Sequence, residues 1–226
     1  MISTARLTAL AAVLYALSGP AAAQAKFLGF QEDAPNPRVK VAPAEILLDI
    51  PMPVSGADLA DLLARANSGL SLSAIKEEAL RVYQQHLHRE LSEELAERFA
   101  DAEIPVVEGG AQLTLSNFLE VKAIKHFSEL RKGSDQKLER GTVELEGVYR
   151  YQWRTADGTA MREGEVNLAD LRIRESYKVK SDLGGNTQED TTEEAIKRAL
   201  SEMVEEMLDK SEDDFEPEQL RSLASL

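Results

Sequence analysis

The side chains able to do chemistry in this 226-residue chain are three histidines and forty carboxylates, with no cysteine among them. The sharpest cluster is HLHRELSEE, residues 86 to 94. On a helix, His86, Glu90 and Glu93 or Glu94 share one face, and an imidazole beside carboxylates is a donor set for zinc or another divalent cation. A closed or catalytic metal site needs three protein ligands, and outside the cluster the chain has one further histidine, His126. The competing expectation is therefore an ordinary i,i+4 pair of His86 and Glu90 on a solvated face. Asp182, Asn186, Glu189 and Asp190 gather in a Gly-Gly segment and could offer oxygens to calcium, but their spacing is not that of a calcium loop. A solvated loop leading into a helix N-terminus explains them more simply.

A second set lies in VELEGVYRYQWRTADGTAMREGEVNL, residues 143 to 168. Glu144, Glu146, Arg150 and Arg154 alternate with Tyr149, Tyr151 and Trp153. In a strand the two sets face opposite sides. Paired carboxylates can do acid/base work, yet beside two arginines they read as the wet side of a sheet, while the aromatics supply a core floor for helices. The core reading leaves room for one end of the row, Trp153 nearest the turn, to be partly exposed. Glu146, Arg150, Arg154 and Asp157 of the Asp-Gly turn are thus the binding candidates, and His86 and Glu90 the metal candidates. The chain holds no Ser elbow, phosphate loop, dinucleotide loop or HExxH motif, and no cofactor is implied.

The elements that must hold these residues follow from period. SAIKEEALRVYQQHLHRELSEELAERFADA, residues 73 to 102, repeats apolar side chains at three, four and seven, which predicts one long amphipathic helix. A second follows Thr191, whose spacing to Glu194 matches a capping box, with its stripe at Ile196, Ala199, Leu200, Met203, Val204, Met207 and Leu208. Between them the period falls to two in AQLTLSNFLEVKAIKHF and TVELEGVYRYQWR, and the return strand changes parity near Ala169-Asp170, which predicts a break there. A further strand is expected near residues 44 to 50, and a short helix over ADLADLLARA. SELRKGSDQKLERG reads as a mobile polar loop. The order β-α-β-β-β-α predicts an α+β, two-layer domain: a mostly antiparallel sheet of about four strands with two helices on one face.

The first residues carry Arg6, an apolar run from Leu7 to Leu17, Gly19-Pro20 and small residues, the order of a secretory signal peptide cut after Ala23 or Ala25. The organisation expected is a signal over 1–23, a Pro-rich extended arm over 24–54, one α+β domain over 55–210, and an acidic, flexible tail over 211–226 whose leucines dock or stay loose. The net charge of −14 opposes nucleic acid, and no segment of the mature chain reaches membrane-spanning length. Without cysteine there is no disulfide and no acylated anchor, so the fold rests on burial and hydrogen bonds.

LEGVYRYQWRTADGTAMREGEVNL, RESYKVKSD and TTEEAIKRALSEMVEEML together resemble the second half of the small envelope lipoproteins that assist lipopolysaccharide assembly or ABC-type lipid transport. There too a strand, an x-D-x-G turn, a return strand and a C-terminal helix follow one another. The resemblance covers roughly residues 72 to 210 and departs at the lipidated cysteine those proteins carry. It implies a non-catalytic accessory subunit or binder and transfers no catalytic residue. The expected function is an exported, soluble, periplasmic binding protein with an envelope protein or lipid as partner. A metal- or carboxylate-dependent hydrolase, or a carrier of lipid or a small molecule, is the alternative.

Overall fold

The computed structural model describes residues 35–51, 72–184 and 187–225. The elements below belong to the unit Asn36–Leu226. The signal peptide and the helix expected over ADLADLLARA lie outside the described residues.

Two strands of twenty residues form the centre: β3 (Leu113–Lys132) and β4 (Gln136–Thr155), paired antiparallel from Leu113↔Thr155 to Lys132↔Lys137. The hairpin thus runs straight through the segment expected as a polar loop, and only Gly133 to Asp135 turn, with the Gly133 N–H donating to the Gln136 carbonyl at 2.8 Å. Strands this long outreach their neighbours, so short strands share each flank. β1 (Val39–Val41) and β2 (Glu45–Asp49) lie along β3, while β5 (Ala160–Asn167) and β6 (Arg174–Asp182) lie along β4, with β7 (Thr187–Asp190) outside β6. The sheet is therefore seven-stranded and mixed, against the roughly four antiparallel strands expected. β1 and β2 run parallel to β3 because the long helix intervenes and carries the chain back to the same end.

The predicted break at Ala169-Asp170 is a 3-10 turn, Leu168–Leu171, begun by Asn167, whose side chain accepts from the Ala169 N–H at 3.2 Å. β4 bends opposite it. Gly147 sits at φ 137, and a Cβ there would come within 1.9 Å of the Glu120 carbonyl oxygen, so only glycine fits. Before the bend β4 pairs with β6, and after it with β5.

Among the described residues three helices pack on one face, against the two expected there. α1 (Leu72–Asp101) buries Tyr83, Leu87, Leu91, Leu95 and Phe99 at strict four-residue spacing. Such a row is a single i±4n ridge, inclined to the helix axis by roughly 26°. α2 (Thr192–Asp209) buries its whole predicted stripe. Its cap differs from the expected box. The Thr191 hydroxyl accepts from the Lys178 N–H of β6 at 2.9 Å, and Asp190 instead accepts from the Thr192 N–H at 2.8 Å. The adjacent strand competes for the threonine and wins.

α3 (Pro217–Ala224) belongs to the segment read as a tail. It buries Leu220 and Leu223, the stripe whose docking the sequence leaves open, and the preceding turn buries Phe215. Phe215 packs, tilted or edge-on, against Tyr151 (5.2 Å between centroids), Trp153 (5.6 Å) and Phe99 (6.2 Å). The aromatic row is thus core, as expected, and Trp153, whose partial exposure the sequence leaves open, is 0% exposed. Phe215, beside Phe99 of α1, covers the end of the row that a two-helix domain would leave less protected. Asp214 completes the attachment: its carboxylate accepts from the Tyr151 hydroxyl at 2.6 Å and pairs with Arg162 of β5.

Candidate functional site

Among the described residues the helices leave the other face of the sheet uncovered, and the register arranges its side chains in rows. Glu45, Phe118, Arg150 and Glu165 are successive cross-strand neighbours from β2 to β5, and Ser116, Gln152 and Glu163 form the next row. Between the rows runs an open groove of about 590 Å³. Its floor is backbone, because the side chains of Asn117 and Tyr151 turn to the core and Gly164 has none. The Gly164 position must stay bare, since a Cβ would fall 2.2 Å from the Tyr151 ring.

Arg150 organises the groove. Its Nε donates to Glu165 at 2.9 Å, and its guanidinium lies 5.4 Å from the centre of the Phe118 ring. Pairing and stacking fix the long side chain, while both rows remain in contact with solvent. A planar cation on a half-exposed aromatic, flanked by Glu45, Glu163 and Glu165, presents charge of both signs beside apolar area. That combination suits recognition of a polar partner segment.

The other sequence candidates are dispersed. Arg154 lies beside this groove, its Nε donating to Gln152 at 2.6 Å. Glu146 is beyond the Gly147 bend and lines a separate cleft with Glu144, Arg172 and Arg174. There Glu144 pairs with Arg174 and, at 3.2 Å, with His126. Asp157 builds the turn, accepting from the Thr155 hydroxyl and from the Thr159 N–H at 3.2 Å; these donors hold its carboxyl below the ordinary value. Of the four, Arg150 and Arg154 come together, and Glu146 and Asp157 do not join them.

His86 and Glu90 form a joint between helices. The His86 Nε2 lies 3.1 Å from the Lys197 carbonyl and 3.0 Å from the Ser201 hydroxyl of α2, while Nδ1 accepts from Arg89 at 2.9 Å. A carbonyl can only accept, so Nε2 carries the proton, and Nδ1 is already engaged by a guanidinium. Neither nitrogen has a lone pair left for a metal. Glu90 sits 3.7 Å from Nδ1. Burial works to raise its carboxyl, but hydrogen bonds from Arg89 and Ser201 and the charge of Arg89 outweigh it and hold the group below its ordinary value. Among the described residues no three His, Asp or Glu side chains gather as a metal site. Of the calcium candidates, Glu189 pairs with Lys178 at 2.7 Å, Asp190 caps α2, and Asn186 lies outside the described residues.

Phe118, Gln152, Glu165 and Glu45 are the groove residues that composition did not single out. One signal for them is present: at 117 and 118 the alternation of β3 inverts, placing Asn117 on the apolar parity and Phe118 on the polar one.

No family model matches the chain, and no curated protein matches it. Among solved structures it is similar to a Helicobacter pylori protein described as a neuraminyllactose-binding hemagglutinin homolog, at 9% identity over 84% of this chain and 91% of that one, with a TM-score of 0.49. It is also similar to a minor lipoprotein from Acinetobacter baumannii (12% identity, 84% and 94% covered, TM-score 0.26) and to lipoprotein GNA1162 from Neisseria meningitidis (11%, 78% and 99%, 0.16). Bacterial lipoproteins are among the structural neighbours, and likeness at this level assigns neither a family, a ligand nor a role. Among the described residues no helix is long and apolar enough to cross a membrane.

Proposed function

We propose that this chain is an exported, non-enzymatic binding protein of the bacterial cell envelope, and that it engages an envelope partner through the uncovered face of its sheet, at the groove around Phe118 and Arg150. The observation that carries this reading is the stacked pair itself. An aromatic ring on the polar parity of a central strand, with a guanidinium over it and no helix above it among the described residues, is apolar area left at the surface of a sheet whose opposite face is used for the core. Enrichment of Arg and aromatic residues is characteristic of the energetic centres of protein interfaces. The N-terminal charge, apolar run and small residues support export.

The test uses native envelope extract and the chain as bait, comparing wild type with Phe118→Ala/Arg150→Glu and with Glu97→Lys on α1. The reading expects a defined partner recovered by wild type and Glu97→Lys and lost with the double variant, at unchanged thermal stability. Equal recovery by the double variant, or loss only with Glu97→Lys, would place the interface elsewhere and defeat the proposal.

A further inference from the structure

On the helix side of the same strand, the structure assigns a second binding site: we infer that the cleft between α1 and the Ala42–Ala44 connector takes a small neutral molecule with an apolar body and a carbonyl acceptor at one end. The cleft arises from an interruption in strand pairing. β1 ends with Val41 opposite Leu115, and β2 begins with Glu45 opposite Phe118. Ser116 and Asn117 are left between them without a strand neighbour on that flank. The connector stays tethered through the Ala42 N–H, which donates to the Leu115 carbonyl at 2.8 Å, and then Pro43, which has no N–H, carries the chain off the ladder. Beneath α1 this leaves a cavity of about 340 Å³.

Its walls are apolar: Val41, Ala44, Leu91, Leu95, Phe99 and Val106. Asn117 also lines it, and this residue is 5% exposed. The Asn117 Oδ1 accepts from the Tyr149 hydroxyl at 2.9 Å, which fixes the amide, while its Nδ2 is buried with no hydrogen-bond partner among the described residues. A buried amide donor left unpaired carries an uncompensated desolvation cost, and few such groups persist in native proteins without a reason. A mostly apolar pocket of roughly 300–1,000 Å³ with a few convergent polar groups is the usual form of a small-molecule site.

The charges narrow the ligand class. His88 is the lining side chain able to carry positive charge, and it stands exposed at the rim, where Glu108 adds a negative one. A carboxylate or phosphate would enter past Glu108 and find a neutral amide at the inner wall. An amide, ester or ketone oxygen satisfies that donor without burying charge. The site rests on Asn117 and the strand interruption, and it stands or falls apart from the partner face.

The experiment follows N-propylbenzamide and propylbenzene, a phenyl and a propyl group with and without an amide between them, by titration into the ¹⁵N-labelled chain. Both probes should shift the backbone amides of Ala44 and Ser92, and the benzamide should also move the side-chain amide of Asn117. Asn117→Leu should weaken the benzamide about tenfold or more, the loss of one good hydrogen bond, and leave propylbenzene nearly unchanged. Ala96→Phe, on the exposed side of α1 at the cleft, should weaken both. Absence of shifts at millimolar probe, shifts confined to other surfaces, or benzamide affinity indifferent to Asn117→Leu would overturn the assignment. So would a long-lived water cross-peak at the Asn117 amide that persists at saturating benzamide. Should Asn117→Leu fail to fold, undiminished binding to Ala96→Phe is sufficient to overturn it.

Discussion

Replacing Phe215 by alanine separates a docked C-terminal segment from an acidic appendage. Phe215 is 6% exposed and touches Phe99, Tyr151 and Trp153 with centroids 5.2 to 6.2 Å away. Truncating a buried phenylalanine typically costs about 3–5 kcal/mol, transfer and cavity terms together, with the lost ring pairs contained in that figure. A residue in a solvated tail would change stability by no more than about 0.5 kcal/mol. For a unit of this size each kcal/mol shifts Tm by roughly 2–4 °C, so the expected fall is on the order of 10 °C. The chain provides its own probe, because Trp153 is its one tryptophan and lies against Phe215. Urea unfolding followed by tryptophan fluorescence should show a lower midpoint at an unchanged slope. A midpoint within error of wild type would refute the aromatic packing and, with it, the reason Trp153 is fully covered.

Four further expectations follow. Tyr83 is pushed up to about 12 by burial and by the carboxylates of Glu193, Asp190 and Glu194, and Tyr149, Tyr151 and Tyr177 are also raised, burial being the largest cause in each. A raised phenol keeps its proton longer in the folded state, so its stabilisation is whole below the ordinary value near 10 and falls as pH climbs above it, through about 12 for Tyr83 and beyond that for the other three, at most about 5 kcal/mol per pH unit for the four. Absorbance at 295 nm should therefore rise together with unfolding; phenols titrating near pH 10 in a folded chain would contradict the packing. Gly147→Ala should cost several kcal/mol, roughly 3 or more, whereas Gly109→Ala, with nothing within 4 Å of the added Cβ, should be near neutral by thermal melt. His86→Ala should lose about 1–3 kcal/mol by leaving polar groups of α1 and α2 unpaired, by the same amount with or without a chelator. A chelator-sensitive wild type would instead restore the metal reading. Asp214→Ala should unlatch the segment from Tyr151 and Arg162 and lower stability by about 1–3 kcal/mol in chemical denaturation, and no change would count against that contact.

Much of this fold is written in period. The stripes of α1 and α2 and the alternation of β4 are local patterns, and the structure buries the residues they select. What escaped is non-local. The parallel placement of β1 and β2 depends on where a thirty-residue helix returns the chain, which no alternation records, although a strand followed by a helix and a strand already favours it. The hairpin extends through Ser128 to Arg140 because strand pairing continues past the core, where polar side chains look like a loop. Charge hid the C-terminal segment: Glu212, Asp213 and Asp214 suggested solvent, yet Asp214 is anchored by Tyr151 and Arg162 from other strands.

The candidate sites show the same limit. Arg150 and Arg154 are recognisable as the outward parity of β4, but Glu45, Phe118 and Glu165 join Arg150 only through register across four strands. The inversion at Asn117 and Phe118 was the local clue to both sites, since each residue stands on the face its polarity disfavours. A polar residue on a core parity, or an aromatic on a wet one, marks a place where packing alone does not explain the choice.

Photo-cross-linking in living cells tests the central claim most directly. With p-benzoylphenylalanine at Gln152, in the groove beside Arg150, irradiation should yield one discrete adduct that Arg150→Glu abolishes, while the same label at Glu97 on α1 yields none. Adducts at Glu97 but not at Gln152, or a Gln152 adduct indifferent to Arg150→Glu, would contradict an account in which the uncovered face of the sheet meets the partner.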